Sequence, residues 1–183
     1  MNKDIIKVIE ERRSTRAYKD LQLTEVQLEE ILHAALLAPS ARNLQSCTVV
    51  ALQDKDILAE LNKDFLQCAS KYPEYAGYLS KPGYNFYHHA PTFIFIFGDN
   101  KNKWSHVDAG IIVENMALAA EGLALGSCII GMLAVFLATP EGLAWLPRLG
   151  APIDTSFIVG LALGVKNEVA EAKPRDTSKI KRL

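Results

Sequence analysis

The fold class that this sequence predicts is a single domain of the α/β (α+β) class, and three observations lead to it. The chain has 183 residues, 49% of them hydrophobic, which is enough for one sizeable core. Strand-like segments alternate with segments of helical periodicity. The sequence also has no internal repeat, low-complexity tract or linker, so residues 1–183 are predicted to form one domain with a basic C-terminal tail over residues 165–183.

Periodicity and capping signals predict the helices. Apolar residues recur at helical spacing in residues 4–13. A second helix is expected to begin at Thr24, which forms a capping-box pair with Gln27, and to end near the proline that follows it. Asp54 is placed to cap a third helix, and Thr139 is placed to cap a short helix whose first residue is proline.

Four segments have the composition of strands, and one segment between them does not. The predicted strands are residues 47–52, 92–97, 127–131 and 155–163. The sequence TFIFIF of the second strand is apolar on both faces, which indicates a central position in the sheet. Residues 71–89 are rich in Tyr, Pro, Gly and Asn, and we expect an irregular or weakly helical excursion there.

Residues 108–125 are predicted to form the longest helix. It is very rich in Ala, Leu and Ile, and a helix that is apolar nearly all round is buried. In a chain of this length such a helix is either central to the domain or at a subunit interface.

Charge and cysteine content exclude several classes of protein. Twenty basic and 21 acidic residues give a net charge of −1, so we expect no nucleic acid partner, although the tail is locally basic. No apolar run is long enough to span a bilayer, so no membrane association is expected. Cys47, Cys68 and Cys128 form no CxxC pair, which argues against a zinc site or a disulfide framework. We therefore predict reduced, buried thiols in a cytoplasmic protein.

Arginines crowd the segment that follows the first helix. If this segment is extended, Arg12, Ser14 and Arg16 share one face, with Arg13 between them. Guanidinium groups match the oxygens of a phosphate, and a dianionic phosphate would also give the basic tail residues a reason to converge on this cluster. The alternative is a solvated basic turn.

The turn after the second helix and two glycines are further candidates for ligand binding. Residues 38–45 combine small residues with the amides of Asn43 and Gln45, which can donate to and accept from a flat heterocycle. An ordinary polar loop is the alternative. Gly126 precedes the third predicted strand and Gly131 ends it, and both would let a ligand approach the backbone, although helix capping and tight packing would explain Gly126 equally well.

No side chain in the sequence points to acid–base or covalent chemistry of its own. His88 and His89 are adjacent, and on a strand they would point to opposite faces, so they are poor ligands for one metal. Ser14 and Ser40 have no recognisable partners for a nucleophilic triad. We therefore expect no metal site, and a bound cofactor that carries the reaction would explain the pattern.

Four segments, in order, resemble the nitroreductase family, the FMN-dependent NAD(P)H oxidoreductases. They are ERRSTRAY at residues 11–18, APSARNLQ at residues 38–45, the helix from DAG at 108–110 through GSCIIG at 126–131, and the final strand at 160–164 followed by KPR at 173–175. Together they span nearly the whole chain.

The resemblance implies a central mixed, mainly antiparallel sheet flanked by helices, and an intertwined homodimer with two FMN at the interface. It assigns phosphate and ribityl contacts to the arginine segment, with Lys173 and Arg175 reaching the phosphate. It places Pro39, Ser40 and Ala41 along the flavin, and Asn43 on the flavin or the substrate. Gln45 belongs to the same loop motif, and backbone groups near Ile130 and Gly131 are expected to face the ring.

The implied activity is hydride transfer from NADH or NADPH to the flavin, and then to a nitroaromatic, quinone or similar flat acceptor by a ping-pong mechanism. The sequence departs from the family at Arg42, Ser46 and Cys47, and these departures concern the substrate. A specialised flavoprotein of the dehalogenase or azoline-oxidase type, or a non-catalytic FMN-binding protein, is the alternative. The tyrosines Tyr72, Tyr75, Tyr78 and Tyr84 of residues 71–89 are expected to cover the substrate.

Overall fold

The computed structural model describes residues 4–183, apart from the side chain of Glu74, so the first three residues of the predicted domain lie outside the described part. The helices are α1 (Ile5–Glu11), α2 (Glu25–Leu36), α3 (Lys55–Ala69), α4 (Ala76–Leu79), α5 (Ser105–Gly122), α6 (Leu133–Leu137) and α7 (Pro140–Leu143). The strands are β1 (Cys47–Leu52), β2 (Thr92–Asp99), β3 (Gly126–Ile130) and β4 (Thr155–Gly164). Short 3-10 turns occupy Ala41–Asn43, Pro73–Tyr75 and Thr177–Lys179.

The four strands form one sheet in the order β1-β2-β4-β3, and every neighbouring pair is antiparallel. The one parallel contact described is an isolated bridge between Ser14 and Ser127. Helices cover both faces of this sheet, which confirms the predicted fold class. Along the described residues 4–183, no helix is long and apolar enough to cross a membrane.

Strand β2 lies inside the sheet, as its all-apolar sequence predicted, and it separates two cores. Phe93, Phe95 and Phe97 are fully buried on one face, where α3 and α6 pack. Ile94 and Ile96 are fully buried on the other face, against α2 and α5. The side-chain period of two along a strand produces this division.

Helix α5 is central, which was one of the two positions expected for it. Six of its residues are buried in the second core: Ala109, Ile112, Val113, Met116, Ala117 and Ala120. The predicted bounds were displaced by three residues at each end. The helix ends early because Ala124 takes a left-handed conformation (φ 60°) and Leu125 N–H donates to the Ala120 carbonyl (2.8 Å), a Schellman cap.

The helix caps predicted from the sequence are present. The Thr24 hydroxyl accepts from Gln27 N–H, and the Gln27 side chain accepts in return, so the capping box is confirmed. Asp54 caps α3 and Thr139 caps α7. Helix α2 ends at Leu36, before the expected position, and α6 was not predicted because five apolar residues carry too little periodicity to identify a helix.

The three thiols are free, and only two of them are buried. Cys68 and Cys128 lie in the first core, as predicted. The prediction was wrong for Cys47, which is half-buried at the start of β1. Burial, followed by the nearby Asp108 carboxylate, raises the pKa of this thiol to about 11.

Candidate functional site

The arginine segment is attached to the sheet by its backbone. Thr15 N–H donates to the Ser127 carbonyl of β3 (2.8 Å), and the Thr15 side chain is buried. A Cβ on Gly126 would lie only 2.8 Å from the Thr15 side chain. Glycine is therefore required for this close approach, which is the packing role that the sequence left open for Gly126.

The C-terminal tail lies on the other side of the same segment. Lys19 N–H donates to the Val165 carbonyl and Asn167 N–H to the Ala17 carbonyl, each at 2.9 Å. The Glu168 carboxylate accepts from Arg16 N–H. These bonds fix the direction in which the chain continues toward residues 170–175.

The arginine segment and the tail enclose a small cleft of about 150 Å³, which we call the arginine cleft. It is lined by Arg12, Arg13, Ser14, Arg16, Ala170, Glu171, Lys173 and Arg175. Five of these side chains are cationic and one is acidic. The two basic clusters of the sequence therefore converge, and their spacing and charge would suit an anion of phosphate size.

The three arginines are held differently. The Arg13 guanidinium donates from Nη1 to the Glu10 and Arg12 carbonyls (2.6 and 2.7 Å), so it caps the end of α1. Arg12 Nε lies 3.3 Å from Glu114 Oε1 of α5. Arg16 Nη1 makes a long bond of 3.3 Å to the Ser14 carbonyl. Arg12 and Arg16 thus keep more of their donors for a ligand than Arg13 does.

A larger cavity of about 390 Å³ adjoins the arginine cleft, and Arg16 lines both. We call it the tyrosine cavity. Its wall consists of Arg16, Tyr78, Lys81, Tyr84, His88, Cys128, Ile129, Ile130, Gly131 and Met132. A Cβ on Gly131 would meet no atom within 4 Å, so open space lies directly over this backbone.

Burial lowers or raises three pKa values in this wall. The pKa of His88 is lowered, first by burial and then by the Arg16 charge, which favours the neutral imidazole. Burial raises the pKa of Cys128, so its thiol stays protonated. Burial also raises the pKa of Tyr84 to about 12. Burial therefore favours the uncharged form of all three side chains.

Within a single chain, the loop at residues 38–45 lines neither of these two cavities. Pro39, Ser40, Ala41, Asn43 and Gln45 are absent from the described walls of both the arginine cleft and the tyrosine cavity. The structure therefore separates the predicted site residues into two groups. Arg12 to Arg16, Ile130, Gly131, Lys173 and Arg175 are together, and the loop residues are elsewhere.

This loop has an unusual backbone. Arg42, Asn43 and Gln45 all have positive φ (54°, 54° and 48°), a conformation that costs energy for residues other than glycine. Asp108, buried on α5, accepts from Ala41 N–H (3.0 Å), and the Ser40 hydroxyl accepts from Gln45 N–H (3.0 Å). These two bonds hold the loop in its shape.

Sequence reasoning missed several lining residues of the site. Lys81, Cys128, Met132 and Glu171 were not candidates, and the only available signal for Lys81 was its position within residues 71–89. Of the four tyrosines expected to cover substrate, Tyr78 and Tyr84 line the cavity, whereas Tyr72 and Tyr75 pack on the first core.

The premise used for the histidine pair was wrong. His88 and His89 lie before β2 with φ of 54° and 55°, not on a strand. His88 lines the tyrosine cavity, while the His89 ring lies 3.4 Å from the Gly83 carbonyl. Within residues 4–183, no three His, Cys, Asp or Glu side chains are grouped so that they could hold a metal ion.

Comparison with known proteins gives a consistent result. The sequence model described as "Nitroreductase family" matches residues 9–164. A Vibrio harveyi protein named NADPH-flavin oxidoreductase is 28% identical over 93% of this chain and 69% of its own. A Bacillus subtilis protein named FMN reductase [NAD(P)H] is 28% identical over 94% of this chain and 70% of its own.

Solved structures are similar over the full length. The crystal structure of a nitroreductase with bound FMN from Bacteroides fragilis superposes with a TM-score of 0.91, with 29% identity and 100% of both chains covered.

Proposed function

We infer that this chain, which belongs to the nitroreductase family, is an FMN-dependent oxidoreductase that draws electrons from NADH or NADPH. The observation that carries this inference is the pair of adjoining cavities that share Arg16. One is small and cationic, and the other is larger and lined by aromatic and apolar residues. FMN has the matching halves, a phosphate and a flat ring.

The residues fit this cofactor. Arg12, Arg16, Lys173 and Arg175 would hold the phosphate, with Ser14 as a further donor and Arg13 chiefly closing α1. The ring would lie along Ile130 and over Gly131, where the space is open. Bound FMN supplies the hydride chemistry, since it can take two electrons from NAD(P)H and give them to a second substrate.

The protein itself positions the substrate and shields it from solvent. The end of β3 and the aromatic wall fix where a flat substrate can lie, and the lowering of the His88 pKa by burial disfavours a second positive charge beside Arg16. We propose that donor and acceptor use this one space in turn, which is a ping-pong mechanism. For a quinone the balance is quinone + NAD(P)H + H⁺ → hydroquinone + NAD(P)⁺.

We propose a homodimer in which the loop of one chain completes the site of the other. The loop residues Pro39, Ser40, Ala41, Asn43 and Gln45 do not reach the cavities of their own chain. Apolar side chains are exposed both beside the loop and on α1: Leu36, Leu37, Leu44, Ile5, Ile6 and Ile9. Exposed apolar surface of this kind marks an interaction site. Light scattering after gel filtration tests this, and a monomer that binds FMN tightly would refute it.

The acceptor is proposed to be a nitroaromatic, a quinone or a similar flat compound, because the cavity has aromatic and apolar walls.

We place the enzyme in the cytoplasm, where its three free thiols would stay reduced. A specialised oxidase or dehalogenase reaction, or FMN binding without turnover, would appear as a lack of reaction with these acceptors.

The test is the visible spectrum of the purified protein under anaerobic conditions. We expect bound FMN, and we expect NADH or NADPH to bleach it and a quinone to restore it. Initial rates at several fixed donor concentrations should give parallel double-reciprocal lines. A protein that cannot be loaded with FMN would overturn the proposal, and a yellow protein that neither nucleotide bleaches would support a binding role.

A further inference from the structure

The outer wall of the tyrosine cavity carries a lysine between two tyrosines. Lys81 Nζ lies 5.9 Å from the centre of the Tyr78 ring, within the range of a cation–π contact. The Tyr78 and Tyr84 rings are 5.9 Å apart and tilted by 43°. The three side chains therefore form one aromatic and cationic surface at the mouth of the cavity.

This surface is held in place at two points. The Tyr84 hydroxyl lies 2.7 Å from Met132 Sδ, which joins it to the turn after β3. Lys81 N–H donates to the Tyr78 carbonyl and Tyr84 N–H donates to the Lys81 carbonyl, each at 3.1 Å. The backbone of Lys81 is thus fixed, whereas its side chain is exposed to solvent.

The charge of this wall is one-sided. Of the described residues that line the tyrosine cavity, Arg16 and Lys81 are cationic and none is acidic. The ion pairs found among the described residues do not include Lys81. Since the FMN phosphate would engage Arg16 from the arginine cleft, Lys81 is the cation that faces the second substrate.

We propose that the tyrosine cavity selects flat aromatic acceptors that carry an anionic group, and that Lys81 is the residue that binds this group. The inference rests on the proposed function, because it concerns the acceptor of the same site. The aromatic rings would stack on Tyr78 and Tyr84, and a carboxylate or sulfonate would lie against the lysine. The electron balance is unchanged, since the anionic group takes no part in the reduction.

The phosphates of the nucleotide donor are the competing source of negative charge. In a ping-pong reaction the two specificity constants are independent, so the donor and the acceptor can be assessed separately. If Lys81 binds the acceptor, its replacement lowers kcat/KM for the anionic acceptor and leaves kcat/KM for NAD(P)H nearly unchanged.

The experiment compares 1,4-naphthoquinone-2-sulfonate with 1,4-naphthoquinone, using FMN-loaded enzyme. The quantity is the ratio of the two kcat/KM values, normalised to the wild type so that the intrinsic reactivity of each quinone cancels. For Lys81→Gln we expect the preference for the sulfonate to fall by about three- to ten-fold, the effect of losing one solvent-accessible charge pair near a substrate. Lys81→Arg should restore most of it.

Lys103→Gln is the matched control, because Lys103 also lies over an aromatic ring, Trp104, at 5.3 Å, but outside this cavity. It should keep the wild-type ratio. A second measurement needs no variant. Added KCl should lower the wild-type kcat/KM for the sulfonate more steeply than it lowers kcat/KM for the neutral quinone.

The outcomes separate the two proposals. This inference alone is overturned if the enzyme reduces the neutral quinone but its preference for the sulfonate changes neither in Lys81→Gln nor with added salt. A loss confined to kcat/KM for NAD(P)H also overturns it and assigns Lys81 to the donor phosphate. A protein that takes up no FMN overturns the proposed function, and this inference with it.

Discussion

The arginine cleft and the tyrosine cavity adjoin, yet they are built in opposite ways. The arginine cleft is formed by two segments joined to the sheet and to each other by main-chain hydrogen bonds, at Thr15, Lys19 and Asn167. The outer wall of the tyrosine cavity belongs to residues 71–89, which pair with no strand of the described sheet and contain only short helical turns.

This difference indicates which end of the site is adaptable. Backbone pairing fixes the positions of Arg12 and Arg16, so the cofactor end tolerates few changes. The wall with Tyr78, Lys81 and Tyr84 depends on side-chain contacts and turns, which can change without disturbing the sheet. Substrate selection therefore depends on the part of the site that the sheet constrains least. The variants described next test this contrast in order of decreasing effect.

Arg12→Ala should weaken FMN binding by about 10- to 100-fold, the effect of losing a charge-assisted hydrogen bond of about 1.5–3 kcal/mol. Its pair with Glu114 is partly exposed, so unfolding of the FMN-free protein should change by less than about 1 kcal/mol. Flavin fluorescence titration and thermal unfolding measure the two effects.

Arg148→Ala is the control for the arginine variant. Arg148 makes two bonds to Glu60 (2.9 and 2.7 Å), covers the Trp145 ring and belongs to neither cavity wall. It should leave FMN affinity unchanged. Equal flavin affinity in both variants would contradict the phosphate assignment.

Asp108→Ala should lower the free energy of unfolding by about 1–3 kcal/mol, because it leaves the Ala41 N–H without its acceptor. The left-handed residues of the loop would then relax, and FMN retention in the dimer should fall. Asp108→Asn keeps one acceptor oxygen and should lose less. Urea unfolding and flavin content are the measurements. An alanine variant with unchanged stability and unchanged flavin content would show that the bond does not hold the loop.

Gly131→Ala should leave unfolding within about 0.5 kcal/mol of wild type, since its added Cβ meets nothing within 4 Å. It should weaken FMN binding several-fold, because the methyl group enters the space proposed for the ring. Gly77→Ala, which also meets nothing and lies outside the cavity wall, is the control. Unchanged flavin affinity in Gly131→Ala would place the ring elsewhere.

The smallest effect concerns acid stability and His88. Because the folded pKa of His88 lies below its unfolded value of about 6.5, the unfolded state binds more protons, and stability falls as the pH drops from 6.5 through the folded pKa. His88→Gln should lose less stability over this range than wild type, whereas above pH 7.5 the difference between them should stay constant. Urea unfolding of FMN-free protein from pH 5 to 8 checks the sign. Parallel losses in both proteins would contradict it.

The features that depend on local signals could be predicted from the amino-acid sequence alone. Capping at Thr24, Asp54 and Thr139, the strands, and the central place of TFIFIF follow from side-chain period and cap chemistry within a few residues. The arginine cluster could be recognised in the sequence for the same reason. Helix α6 and the early end of α5 were not, because a five-residue helix and an alanine in a left-handed cap leave no pattern.

Which of these features come together depends on the tertiary structure. The arginine segment and Lys173 are more than 150 positions apart, and they share a cleft because the tail pairs with residues 17–19. The loop around Asn43 carries an equally clear motif, yet it lies away from the cavities of its own chain. Lys81 had no signal beyond its position within residues 71–89, and it faces the cavity through the turn that contains it. Contacts between distant segments depend on sheet pairing and packing, which no window of neighbouring residues encodes.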